Sequence, residues 1–193
     1  MKKLSTYLFL ILFSFQTPSW ADDIRDFQIE GMSIGDSALD YFSEEEIKKN
    51  KVNYYNSEEF VPVYIEDSSK FNNYNGVQFH YKKNDKNFKI FALSGIIWFK
   101  NNINDCHRKM KEIDKELTDL FTNAERDNRG TQSHGADKSG KSKIKQIIFT
   151  FKSGDDTAIT CTDWTKKMKY PDNLRISLAK KELITWIKTE AYK

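Results

Sequence analysis

Apolar residues along this chain fall into blocks of differing period, and the period assigns the elements. Ile103, Cys106, Met110, Ile113, Leu117 and Leu120 recur at spacings of three and four, which predicts a helix over 102–124. A coiled coil would share that spacing, but fewer than four heptads favour packing on a sheet. Val61, Val63 and Ile65 alternate with polar or partly polar positions, and Pro62 places that strand, within 52–66, at an edge. Val77, Phe79 and Tyr81 alternate with Gln78, His80 and Lys82, as in a strand with one wet face. Phe88 to Phe99 is apolar on both sides except at Ser94 and Gly95 and reads as a central strand, bent at Gly95.

Ile147, Phe149 and Phe151, the turn Lys152-Ser153-Gly154-Asp155-Asp156, then Ile159 and Cys161 predict a β-hairpin. A strand through Leu174, Ile176 and Leu178 follows, and a terminal helix carries Leu183, Ile184, Trp186 and Ile187. Near the N-terminus, Gly31 to Asp36 reads as a turn into a helix capped by Ser33 or Asp36, with Leu39, Phe42 and Ile47 among its apolar positions, ending near Asn50. Residues 125–143 are polar and glycine-dotted, and are expected to form a long mobile loop. Strands joined by short turns predict an α+β fold: a mainly antiparallel sheet with about three helices packed on one face.

The first block has a different meaning. Leu4 to Phe15 is apolar, follows Lys2 and Lys3, and leads to Ser19-Trp20-Ala21, the pattern of a cleaved secretory signal over residues 1–21. It is too short to span a bilayer as a helix, and Pro18 argues against an uncleaved anchor. Asp22 and Asp23 follow the expected cut near Ala21, with no cysteine for lipid attachment. The mature chain, 22–193, is expected to be a single soluble domain in the periplasm or the medium, with no transmembrane segment.

Charge narrows the partners. The chain has 31 Lys plus Arg and 28 Asp plus Glu; without Lys2 and Lys3 the balance is 29 to 28, close to +1. The two signs are interspersed, which speaks against nucleic acid. Cys106 and Cys161 are the only cysteines, and in an exported chain the pair predicts a disulfide clamping helix 102–124 to the C-terminal hairpin. Zinc is the alternative, since His107 adjoins Cys106, but neither cysteine has a second ligand at the spacing structural zinc sites use. No metal and no cofactor is expected.

Two motifs point to catalysis. Gly135 to Ser142 is similar to the phosphate loop of nucleotide hydrolases, whose chemistry requires a strand before the loop and a helix after it. Here a strand follows. Gly35-Asp36-Ser37 resembles the nucleophile block of the Gly-Asp-Ser-Leu esterases, which implies a serine nucleophile and an Asp-x-x-His pair near the C-terminus. The last histidine is His134, and none of His80, His107 and His134 has an aspartate at that interval. The Gly31 to Phe42 opening distantly resembles the turn-helix starts of small outer-membrane assembly lipoproteins, but the anchor cysteine is missing and no function is carried across. No catalytic residue is therefore assigned. The leading expectation is a non-enzymatic exported protein that binds an envelope or extracellular protein. The alternative is a small-ligand or glycan-binding module using Tyr54, Tyr55, Tyr64 and Tyr74, and an exported hydrolase comes third.

Overall fold

The computed structural model describes residues 23–67, 69–100 and 102–193. The expected secretory signal at 1–21 lies outside the described residues. Seven antiparallel strands form one sheet: β1 (Phe60–Ile65), β2 (Gly76–Lys82), β3 (Ala92–Trp98), β4 (Glu125–Ser133), β5 (Lys143–Thr150), β6 (Asp156–Asp163) and β7 (Asn173–Ala179). Their order across the sheet is β1-β2-β3-β7-β6-β5-β4. The first three strands form a meander. The helix α2 (Ile103–Leu120) then crosses to the far edge, and the last four strands return to the middle.

Period-two alternation gives the sheet two distinct faces. One presents Val63, Phe79, Leu93, Ile176, Ile159 and Ile147, all in the main core. On it lies α2, whose buried residues Cys106, Met110, Ile113 and Leu117 repeat at helical spacing. Met110, Ile113 and Leu117 each contribute about 1.5–3 kcal/mol when fully buried. Cys106 and Cys161 are bonded, with a Cα–Cα distance of 6.0 Å, so the disulfide fastens α2 to β6. Phe121, just past α2, packs its ring against Phe27, Phe149 and Phe151.

Three expectations are corrected. The N-terminal helix from Asp36 to near Asn50 is two pieces, a 3-10 turn over Ala38–Asp40 and α1 (Glu44–Lys49). Their caps are Ser37 and Ser43 rather than Ser33 or Asp36, and the Ser43 hydroxyl accepts from the Glu46 amide, which restarts the helix there. Residues 125–133, expected as part of a mobile loop, form the edge strand β4, paired along its length with β5 and bulged between Asn128 and Gly130. Arg126 adds two 2.7 Å bonds to Asp114 on α2. Because β4 lies beyond the core it needs no apolar alternation, so its sequence resembles a loop. Finally, the helices do not all share one face. The last helix, α3 (Lys181–Thr189), packs Leu183 and Trp186 with Phe60 and Ala92, whose side chains point to the opposite face of the sheet.

Candidate functional site

That opposite face is polar where α3 does not reach. Alternation places Gln78 and His80 of β2, Ser94 of β3, Arg175 and Ser177 of β7, and Thr160 of β6 side by side on it. Neutral neighbours satisfy one another: Ser94 Oγ donates to Ser177 Oγ at 3.0 Å, and Gln146 Nε2 to Thr160 Oγ1 at 3.1 Å. Arg175 differs from them. It stands between Ile96 and Thr160 on the adjacent strands, half-buried, and takes part in no ion pair among the described residues. The phenols of Tyr54, Tyr55 and Tyr64 lie in electrostatic reach of its guanidinium, as do the rings of His80 and His134, and burial pulls its pKa below the ordinary arginine value.

These tyrosines come from two elements. Tyr64 is on β1, and its ring lies over Gly76: a Cβ there would be 2.8 Å from the Tyr64 hydroxyl, so glycine is what lets the ring lie flat on the face. Tyr54 and Tyr55 come from the segment before β1, held by the amide of Val52 donating to Pro62 O and that of Asn56 to Ala191 O. Tyr55 packs edge-on against Trp186, with centroids 4.9 Å apart, and shares a 3.0 Å hydrogen bond with His80 Nε2. The Tyr54 hydroxyl reaches Gln78 Oε1 at 3.5 Å, while Tyr54 as a whole stays 50% exposed. Both also line a cleft of about 400 Å³ with Lys51 and Lys83.

The phenols and the His80 ring around Arg175 are uncharged at neutral pH, while Lys82 and Asp156 lie farther along the same face. Burial raises the pKa of Tyr54, Tyr55 and Tyr64, the last also through the Glu66 carboxylate, which accepts from its hydroxyl at 3.3 Å; all three stay protonated at neutral pH, and the nearby guanidinium only partly opposes the shift. Burial, with Arg175 as a second cause, lowers the His80 pKa to about 3, so its ring is uncharged at neutral pH. Beyond Arg175, the ring of His134 packs on Trp164 at 4.2 Å between centroids, and Trp164 on Tyr170 at 5.1 Å; burial lowers the His134 pKa as well.

The structure thus brings together Tyr54, Tyr55 and Tyr64 from the sequence-derived set and separates Tyr74. That residue is buried in the main core, on the other face, where its ring occupies the space a Cβ on Gly95 would take. Arg175 was missed by sequence reasoning. The available signal was a charged residue at an outward position of a strand, which ordinarily marks a solvated surface.

The motif residues have other roles. Gly135 to Ser142 lies in the hairpin turn between β4 and β5, wrapped around the Asp137 carboxylate, which accepts from the amides and hydroxyls of Ser139 and Ser142 at 2.7–2.9 Å. These hydrogen bonds hold the Asp137 pKa well below the usual carboxylate range. Donors that would face a phosphate are already engaged by a side chain of opposite purpose. Ser37 Oγ donates to Asn87 O at 2.7 Å and caps the turn at Leu39, so it is not activated by a base. A second cleft, along α3, contains Asp155 and Lys180, but these bond each other at 2.9 Å and Asp155 also accepts from the Lys181 amide.

Among the described residues no group of three or more His, Cys, Asp or Glu side chains could hold a metal ion, and no helix is long and apolar enough to cross a membrane. No protein-family profile, no curated protein and no solved structure matches the chain.

Proposed function

We propose that this chain is an exported, non-enzymatic binding protein that takes a small ligand or glycan on the polar sheet face around Arg175. One observation carries the reading: a half-buried arginine without an acidic partner among the described residues, set among the tyrosines of two separate elements. A protein meets the desolvation cost of such a charge when the group has a use, and aromatic rings beside polar side chains are the usual lining of a recognition surface. Export, with signal cleavage near Ala21 into the periplasm or the medium, is supported by the disulfide, which belongs to oxidising compartments.

Binding is read by amide chemical-shift mapping of the mature protein against a panel of saccharides and small metabolites. Shifts are expected on β7, β2 and the 52–58 segment, and shifts confined to other surfaces would defeat the proposal. An envelope or extracellular protein on the same face is the second reading, favoured by the exposed rings of Tyr54 and Tyr170. Photo-cross-linking from position 170 in the native host tests it: one specific adduct supports a protein partner, and none removes this reading.

A further inference from the structure

Building on that reading, we infer that Arg175 recognises the oxyanion, carboxylate or sulfate, of an acidic saccharide. The guanidinium presents a planar fork of donors that matches such a group in two parallel hydrogen bonds. Among the described residues it has no intramolecular carboxylate partner: the side chains beside it on β3 and β6 are Ile96 and Thr160, and the neighbouring hydroxyl and amide groups pair with one another. The phenols around it are neutral and cannot stand in for an anion. A partly desolvated cation with no carboxylate bonded to it among the described residues is therefore complementary to an anionic group arriving from outside.

The surroundings point to a sugar as the carrier of that group. Tyr54, half exposed, offers aromatic surface to the apolar face of a pyranose, while the half-buried Gln146 and Thr160 keep hydrogen-bonding capacity beyond their mutual bond for its hydroxyls. Carboxylated and sulfated sugars share this chemistry.

Titration calorimetry of the full mature protein, with its disulfide intact, tests the inference with three probes: an oligogalacturonate, a sulfated chondroitin oligosaccharide and a neutral cello-oligosaccharide. At least one acidic probe should bind about tenfold or more tighter than the neutral one, and added salt should weaken it. Arg175→Gln should lose that margin, and Arg175→Lys should keep the salt dependence with reduced affinity. Thermal melting supplies a readout that a purely structural arginine would not give: removing an unpaired, half-buried charge should leave the midpoint of R175Q unchanged or raise it. Equal binding of acidic and neutral probes overturns the inference and leaves the ligand-binding reading standing. Binding of none of the three overturns the inference, and chemical-shift mapping then decides the broader reading separately. Acidic binding unaffected by R175Q also overturns it, as does a marked fall in the R175Q midpoint.

Discussion

Replacing Cys106 and Cys161 together by alanine tests how much of this fold depends on one cross-link. The bond joins residues 55 apart in sequence and ties α2 to β6, the strand it packs on. Loop-closure entropy for that separation is worth roughly 4 kcal/mol, if the bridge acts by constraining the unfolded chain. Both cysteines are fully buried, so losing two sulfurs from the packed layer adds about 1 kcal/mol or somewhat more. A domain of this size has a total stability of about 5–15 kcal/mol, so the bridge contributes a large part of it. Urea unfolding followed by tryptophan fluorescence reads the loss directly, and the variant should show a steeper slope, because its unfolded chain is less constrained. In thermal melting, 4 kcal/mol corresponds to a fall of roughly 8–16 °C. A loss below about 1 kcal/mol, or two titratable thiols in the unreduced mature protein, would refute the reasoning.

Three further perturbations probe separate parts of the structure. Gly95→Ala would place a methyl group 2.3 Å from the Tyr74 ring, and overpacking of this kind should cost about 1–3 kcal/mol in chemical denaturation; an unchanged midpoint would mean that Tyr74 does not pack there. His80 has a folded-state pKa of about 3 against an ordinary value of 6.5, so the unfolded chain binds its proton first. Its neutral burial is fully favourable above about pH 6.5, and stability should fall by up to about 1.4 kcal/mol per unit as pH drops from there toward 3. His80→Gln should flatten that part of the stability–pH curve, and parallel curves would contradict neutral burial. Asp155→Asn removes the buried partner of Lys180 and weakens the anchor at the start of α3, and should cost about 1–3 kcal/mol in urea unfolding. Equal stability would show the ion pair to be dispensable.

Local periodicity by itself determined the elements whose faces are chemically unequal. The 102–124 stripe became α2, with Cys106, Met110, Ile113 and Leu117 inward, and the alternation at Val77, Phe79 and Tyr81 became β2. The cysteine pair was legible for the same reason: each sulfur sits on an inward stripe, so joining them and packing helix on sheet are one geometric requirement. Only the tertiary structure decided what local pattern cannot encode. β4 is held by β5 and by Arg126 on Asp114, so its polar residues carry no strand signature. Tyr54, Tyr55, Tyr64 and Tyr74 look equivalent in sequence, yet sheet alternation and the missing side chain at Gly95 send Tyr74 into the core and leave the others beside Arg175. The candidate site belongs to this second kind of information. A lone arginine acquires meaning only from the side chains set beside it, here Ile96 and Thr160 with no carboxylate bonded to it among the described residues, and that depends on which strands the fold sets side by side.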